Sequence, residues 1–235
     1  MNNSSMRAAL PIPVAVLAAV ALLAALIVGA TSSHDEAHAE SHANAHAHAD
    51  STHAMSASQA RFHDEMRKLW EDHIVWTRAA IVAFADDSDG FAAAARRLLR
   101  NQVDIGDAIK PFYGDRAGDR LAGLLHDHIT IAVEVLKAAK AGDQAALDSA
   151  NTRWYANGKD VADAISALDP RVWPRTALRD MMRVHLDQTL AEASAELTDH
   201  YRASIRAYDA IHHHILDMAD ALSSGIIAQF PARFR

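Results

Sequence analysis

The chain has 235 residues, half of them apolar, with no cysteine and a formal net charge of -7. Without cysteine there is no disulfide, no thiolate metal site and no cysteine nucleophile, and an acidic chain lacks the dense positive field that nucleic acid requires. Nine glycines and six prolines in an alanine-rich chain favour helices.

Residues 8–30, AALPIPVAVLAAVALLAALIVGA, form an unbroken apolar run behind Arg7. The run reads as an export signal, and its length also permits a retained membrane anchor. The expected location is therefore the periplasm or cell envelope, with a membrane tether through the N-terminus if the leader is kept. Residues 31–57 form a low-complexity linker with histidines at 34, 38, 42, 46, 48 and 53. Neutral imidazoles in such a tract can gather divalent metals weakly, but irregular spacing sets no coordination geometry. A plain solvated tether is the alternative.

From Ser58 to the end, apolar residues recur at intervals of three and four, the period of an amphipathic helix. Two motifs recur within this region. LWEDH (69–73), LLHDH (124–128) and MMRVH (181–185) place His73, His128 and His185 at one point of a shared pattern, 55 and 57 residues apart. NQVDIGDAI (101–109), NGKDVADAI (157–165) and HILDMADAL (214–222) follow these histidines by 28, 29 and 29 residues. Two motifs at one period indicate a repeat. The expected fold is all-α, an antiparallel bundle of three helical hairpins over about 66–112, 121–167 and 178–224. Turns are expected at DDSDG, AGD and near LTDH, with breaks at KPFYGDRAG and DPRVWP. The LTDH turn lacks glycine and proline, so the last two helices are the pair expected to merge in part.

On these helices His73, His128 and His185 fall inside the apolar stripes, and Asn101, Asn157 and His214 share the inward position of the second arms. Asp104, Asp160 and Asp217 follow one turn later, roughly on the same face. Buried polar groups cost free energy unless bonded or bound, so these positions imply polar packing layers or ligand sites. As packing, a histidine and an aspartate satisfy each other across a helix interface. As metal ligands, the richest set is His185 with His212, His214 and Asp217, since His214 and Asp217 are an i,i+3 pair facing the preceding helix. His73 and His128, with Asn101, Asn157, Asp104 and Asp160, are secondary candidates. The three leading histidines meet only if the hairpins pack around a pseudo-three-fold axis. Trp70, Trp76, Trp154 and Tyr208 are candidate cavity walls, and Arg78 is a candidate cation for an acidic ligand. No phosphate loop, nucleophile elbow or His-Glu-x-x-His motif is present.

The stretches LWEDHIVWTR, NQVDIGDAIKPFYG, LLHDHITIA, WYANGKDVADAI, MMRVHLDQT and YDAIHHHILDMADALSSGIIAQFPARF resemble a family of exported or membrane-associated bacterial helical proteins. The resemblance covers roughly residues 65–235, implies one helical domain behind a leader, and includes His73, His128, His185 and the His212/His214 region. It carries no activity.

The expected function is extracytoplasmic binding of a transition metal (zinc, copper, nickel or iron) or a small metal-linked ligand. A metal-dependent enzyme and a structural module docking another envelope protein are the alternatives. The first needs an open coordination position beside a base, and the second a large exposed apolar face.

Overall fold

A computed structural model describes residues 55–235; the apolar leader and all six linker histidines lie outside that range. The described chain forms six helices: α1 Ala57–Ala85, α2 Phe91–Tyr113, α3 Asp115–Ala141, α4 Gln144–Ser166, α5 Arg175–Leu197 and α6 Tyr201–Gln229, closed by a 3-10 turn at Pro231–Phe234. Among the described residues there is no strand, and no helix is long and apolar enough to cross a membrane.

Local signals explain most helix ends. α1 starts at a capping box, with the Ser56 hydroxyl accepting from the Gln59 backbone and the Gln59 side chain accepting from Ser56. α4 starts on Asp143, whose carboxylate accepts from the Ala146 N–H. α2 runs through Pro111 and stops at Gly114, where φ is +83°. Proline in the last turn removes a single bond, and it is the left-handed glycine that ends the helix. α5 and α6 are separate helices. The turn between them is held by the His200 N–H donating to Ala195 O, with Asp199 in the left-handed region at φ 60°. Aspartate tolerates that conformation, so neither glycine nor proline is needed.

Each helix packs on its neighbours in sequence, and α6 returns against α1 to close a ring. The pairing is antiparallel throughout. Leu69 and Asp72 of α1 meet Asn101 and Arg97 of α2, and Leu124 and His128 of α3 meet Asn157 and Trp154 of α4. Arg67 and Glu71 of α1 likewise meet Asp220 and His212 of α6. α1 also touches α3 and α5 across the interior. One main core runs along the axis, including Met66, Trp70, Ile105, Leu125, Trp154, Leu186, Ile211 and Ile215. Each fully buried aliphatic side chain there contributes about 1.5–3 kcal/mol against leaving it in water.

Candidate functional site

Three leading helices present the same spacing to the interior. Met66, Trp70 and His73 on α1, Leu121, Leu125 and His128 on α3, and Leu178, Met182 and His185 on α5 are all buried, at steps of four and three residues. The histidine therefore occupies the next position of an apolar stripe, where the helix directs it inward whatever its polarity. His73, His128 and His185 are 3%, 2% and 4% exposed.

Their rings are neighbours. The His185 centroid lies 5.8 Å from that of His73 and 6.1 Å from that of His128, with interplanar angles of 39° and 36°. Two tryptophans wall the group. Trp154 stacks on His128 at 5.1 Å and donates its indole N–H to His128 O, while Trp70 meets His73 edge-on at 6.0 Å.

The second helices brace this layer through one repeated contact. In each pair, the carbonyl four residues before the histidine accepts from the partner helix. Asn101 Nδ2 donates to Leu69 O, Asn157 Nδ2 to Leu124 O, and His214 Nε2 to Met181 O, each at 3.0 Å. Beyond that contact the three differ. Asn157 Oδ1 accepts from His128 Nδ1 at 2.9 Å, which leaves His128 Nε2 as the lone-pair nitrogen. Asn101 Oδ1 is taken by Gln102 Nε2 at 3.3 Å, and the same Gln102 nitrogen donates to Leu98 O. Nδ1 of His73, Nδ1 of His185 and Oε1 of Gln102 are buried with no hydrogen-bond partner. Gln102 does lie close enough to favour a protonated His73, although the two do not reach hydrogen-bond geometry. Unpartnered buried nitrogens each cost about 1–3 kcal/mol, so the layer is not an economical piece of packing.

All three rings are neutral. Burial lowers His73 to about 3, assisted by the nearby His128, and lowers His128 to about 4. Burial also holds His185 well below its ordinary value, with His73, His128 and His214 adding to the effect. Neutral imidazole is the form that binds metals. Among the described residues, no group of three or more histidine or carboxylate side chains is already set to hold a metal ion. The rings of His73 and His128 each neighbour that of His185 without forming such a group.

The remaining sequence candidates lie around this layer. His214 is half-buried at the edge of it, its Nε2 spent on Met181 O. His212 instead reaches Glu71 at 3.0 Å across the α1–α6 seam, and Asp217 is exposed. Asp104 lies beside Arg100 on the outer face of α2, and Asp160 is exposed. Trp76 is partly exposed and carries Arg97 over its ring.

Arg78 has protein partners, donating to Glu192 Oε1 at 2.8 Å and to Ser204 Oγ at 3.0 Å and stacking over Tyr208. Glu192, 1% exposed, is pushed up to about 7 by burial, with Arg78 opposing the rise. Sequence reasoning missed Glu192, Glu196 and Gln102. The two glutamates continue the His185–Thr189 stripe at steps of three and four, the same signal that singled out the histidines.

No family model, curated protein or solved structure matches this chain.

Proposed function

We propose that this protein binds a transition-metal ion outside the cytoplasm, using the point where three related helical hairpins bring His73, His128 and His185 together. What carries the reading is the adjacency of three buried neutral imidazoles, two of them with unpartnered nitrogens, in a bundle that has no packing need for either. The shared carbonyl contact at Leu69, Leu124 and Met181 supports a common hairpin plan, and the apolar leader supports export. Rotation of the His73 and His185 rings toward His128 Nε2 would gather three nitrogens. Asn157 would then hold the His128 tautomer, as a second partner does for most histidine ligands.

The ligand set is the three leading histidines because Glu71 engages His212 and Asp217 faces solvent. It contains no carboxylate, so hard magnesium or calcium is disfavoured. An uncharged pocket also penalises a divalent ion more than a monovalent one. Cuprous copper, with one charge and a tolerance for three ligands, suits the site best. The linker histidines would supply weaker, labile sites.

The test is a competition titration of the full untagged chain with cuprous ion against a chromogenic chelator. One tight equivalent is expected per chain. It should survive when the six linker histidines become alanine, and should vanish in His128→Leu and in His185→Leu. Retention of the tight equivalent in both leucine variants would end the proposal.

A further inference from the structure

One helical turn beyond the histidine layer lies a cavity of about 50 Å³, walled by Thr77, Ile81, Leu98, Ala132, Leu136 and Thr189 among others. No polar atom faces it. Both threonine hydroxyls are spent on the helix backbone, Thr77 Oγ1 on His73 O and Thr189 Oγ1 on His185 O, which leaves the cavity wall to carbon. Trp154, stacked on His128, forms part of the same wall, so the cavity abuts the ring layer directly. About 10–15 Å³ suffices in volume to admit a water molecule, but water also needs two to four polar partners, and here it finds none. The wall is partly exposed at Thr77, Ala132 and Leu190, which gives guests a way in, and its carbon lining favours small uncharged ones over water.

We propose that this cavity is a binding chamber for an uncharged diatomic gas, of the class of dioxygen, nitric oxide or carbon monoxide, held against the open side of the histidine layer. Carboxylates, phosphates and other ions are excluded because the walls offer them no hydrogen bond and no counter-charge. A metal held by the three histidines would have room for one further ligand, and Thr77, Ala132 and Thr189, each four residues past one of those histidines, place the chamber one helical turn beyond them. Of these gases carbon monoxide binds a cuprous ion as a neutral donor, with no electron transferred to it, and so serves as the probe. Its destination at a metal rests on the metal-binding reading above, whereas occupancy of the chamber does not.

Two arms separate these claims. The first is xenon added to the metal-free full chain, followed by the indole N–H resonance of Trp154. A saturable shift is expected in the wild type and should be lost in Ala132→Leu, with Ala132→Val as the milder filling variant. No saturable shift in the wild type, or the same shift in both filling variants, overturns the chamber whatever the metal does. The second is carbon monoxide added to the cuprous-loaded chain, read by its infrared stretch. A bound stretch that weakens at least tenfold in occupancy in Ala132→Leu supports the chamber as the gas site. A loaded metal with no carbon monoxide band, or a band indifferent to the filling variants, overturns it.

Discussion

His185 is the residue at which packing and chemistry make opposite demands. It neighbours both other rings of the layer, its Nδ1 is buried without a partner, and it sits among the buried side chains of Met182, Leu186 and Thr189. Replacing it by leucine removes an unsatisfied polar group and supplies a side chain of similar volume. His185→Leu should therefore raise the stability of the metal-free protein by about 1–3 kcal/mol, measured by urea denaturation. A histidine kept only for packing would give a loss instead. The recurrence of His73, His128 and His185 could be read from residue spacing alone. Their convergence could not, because it depends on α1, α3 and α5 all turning to one interior. The partners differ too. Asn157 accepts from its histidine, Asn101 is diverted to Gln102, and the third asparagine position is His214, distinctions that one-dimensional periodicity does not carry.

Among the elements, α2 and α3 approach closely at a pair of glycines. Gly106 and Gly118 face each other, and a Cβ at Gly106 would stand 2.6 Å from Gly118 O and 2.7 Å from the Ala122 Cβ. Neither neighbour can yield, since one is backbone and the other a methyl fixed to its own helix. Gly106→Ala should cost about 1–3 kcal/mol in spite of alanine's better helix propensity, and a thermal melt lowered by several degrees would show it. An unchanged or raised melting temperature would mean that the two helices can separate without loss. The six helices themselves were legible from the three-and-four periodicity and from the Gly-rich breaks. Two boundaries were less so. Pro111 lies inside α2, because a last-turn proline forfeits little. The break at Thr198–His200 depends on Asp199 taking a left-handed conformation and on Thr198 Oγ1 donating to Ser194 O, side-chain chemistry that leaves a faint trace in composition.

For the whole molecule, the neutral layer sets the response to acid. In the unfolded chain each histidine titrates near 6.5, whereas in the fold His128 is lowered to about 4 and His73 to about 3, with His185 also far below its ordinary value. Between these limits the unfolded state takes up protons that the folded state refuses. The contribution of these histidines is therefore at its full value above pH 6.5 and falls by roughly 1.4 kcal/mol per pH unit for each of them as the pH drops. Glu192 acts in the other direction. Raised to about 7, its contribution is complete below its ordinary 4.5 and is lost as the pH rises through 7. Three histidines outweigh one glutamate, so the urea midpoint at pH 5 should lie clearly below that at pH 7. Equal midpoints would show that the layer is not held neutral.

The closure of α6 onto α1 also fixes how the molecule is presented to its surroundings. Ser56 and Ser58 both donate to Phe234 O, so the described chain begins and ends at one pole. Phe62, Phe112 and Phe234 pack together there. α1, with 29 residues, runs about 43 Å from that pole to the turn at Asp86. The apolar cavity is walled by the distal halves of the helices, past the histidine layer. Whatever is joined to either end of the described chain therefore meets the bundle at that one pole, with the histidine layer about midway along its length and the apolar cavity toward the opposite end.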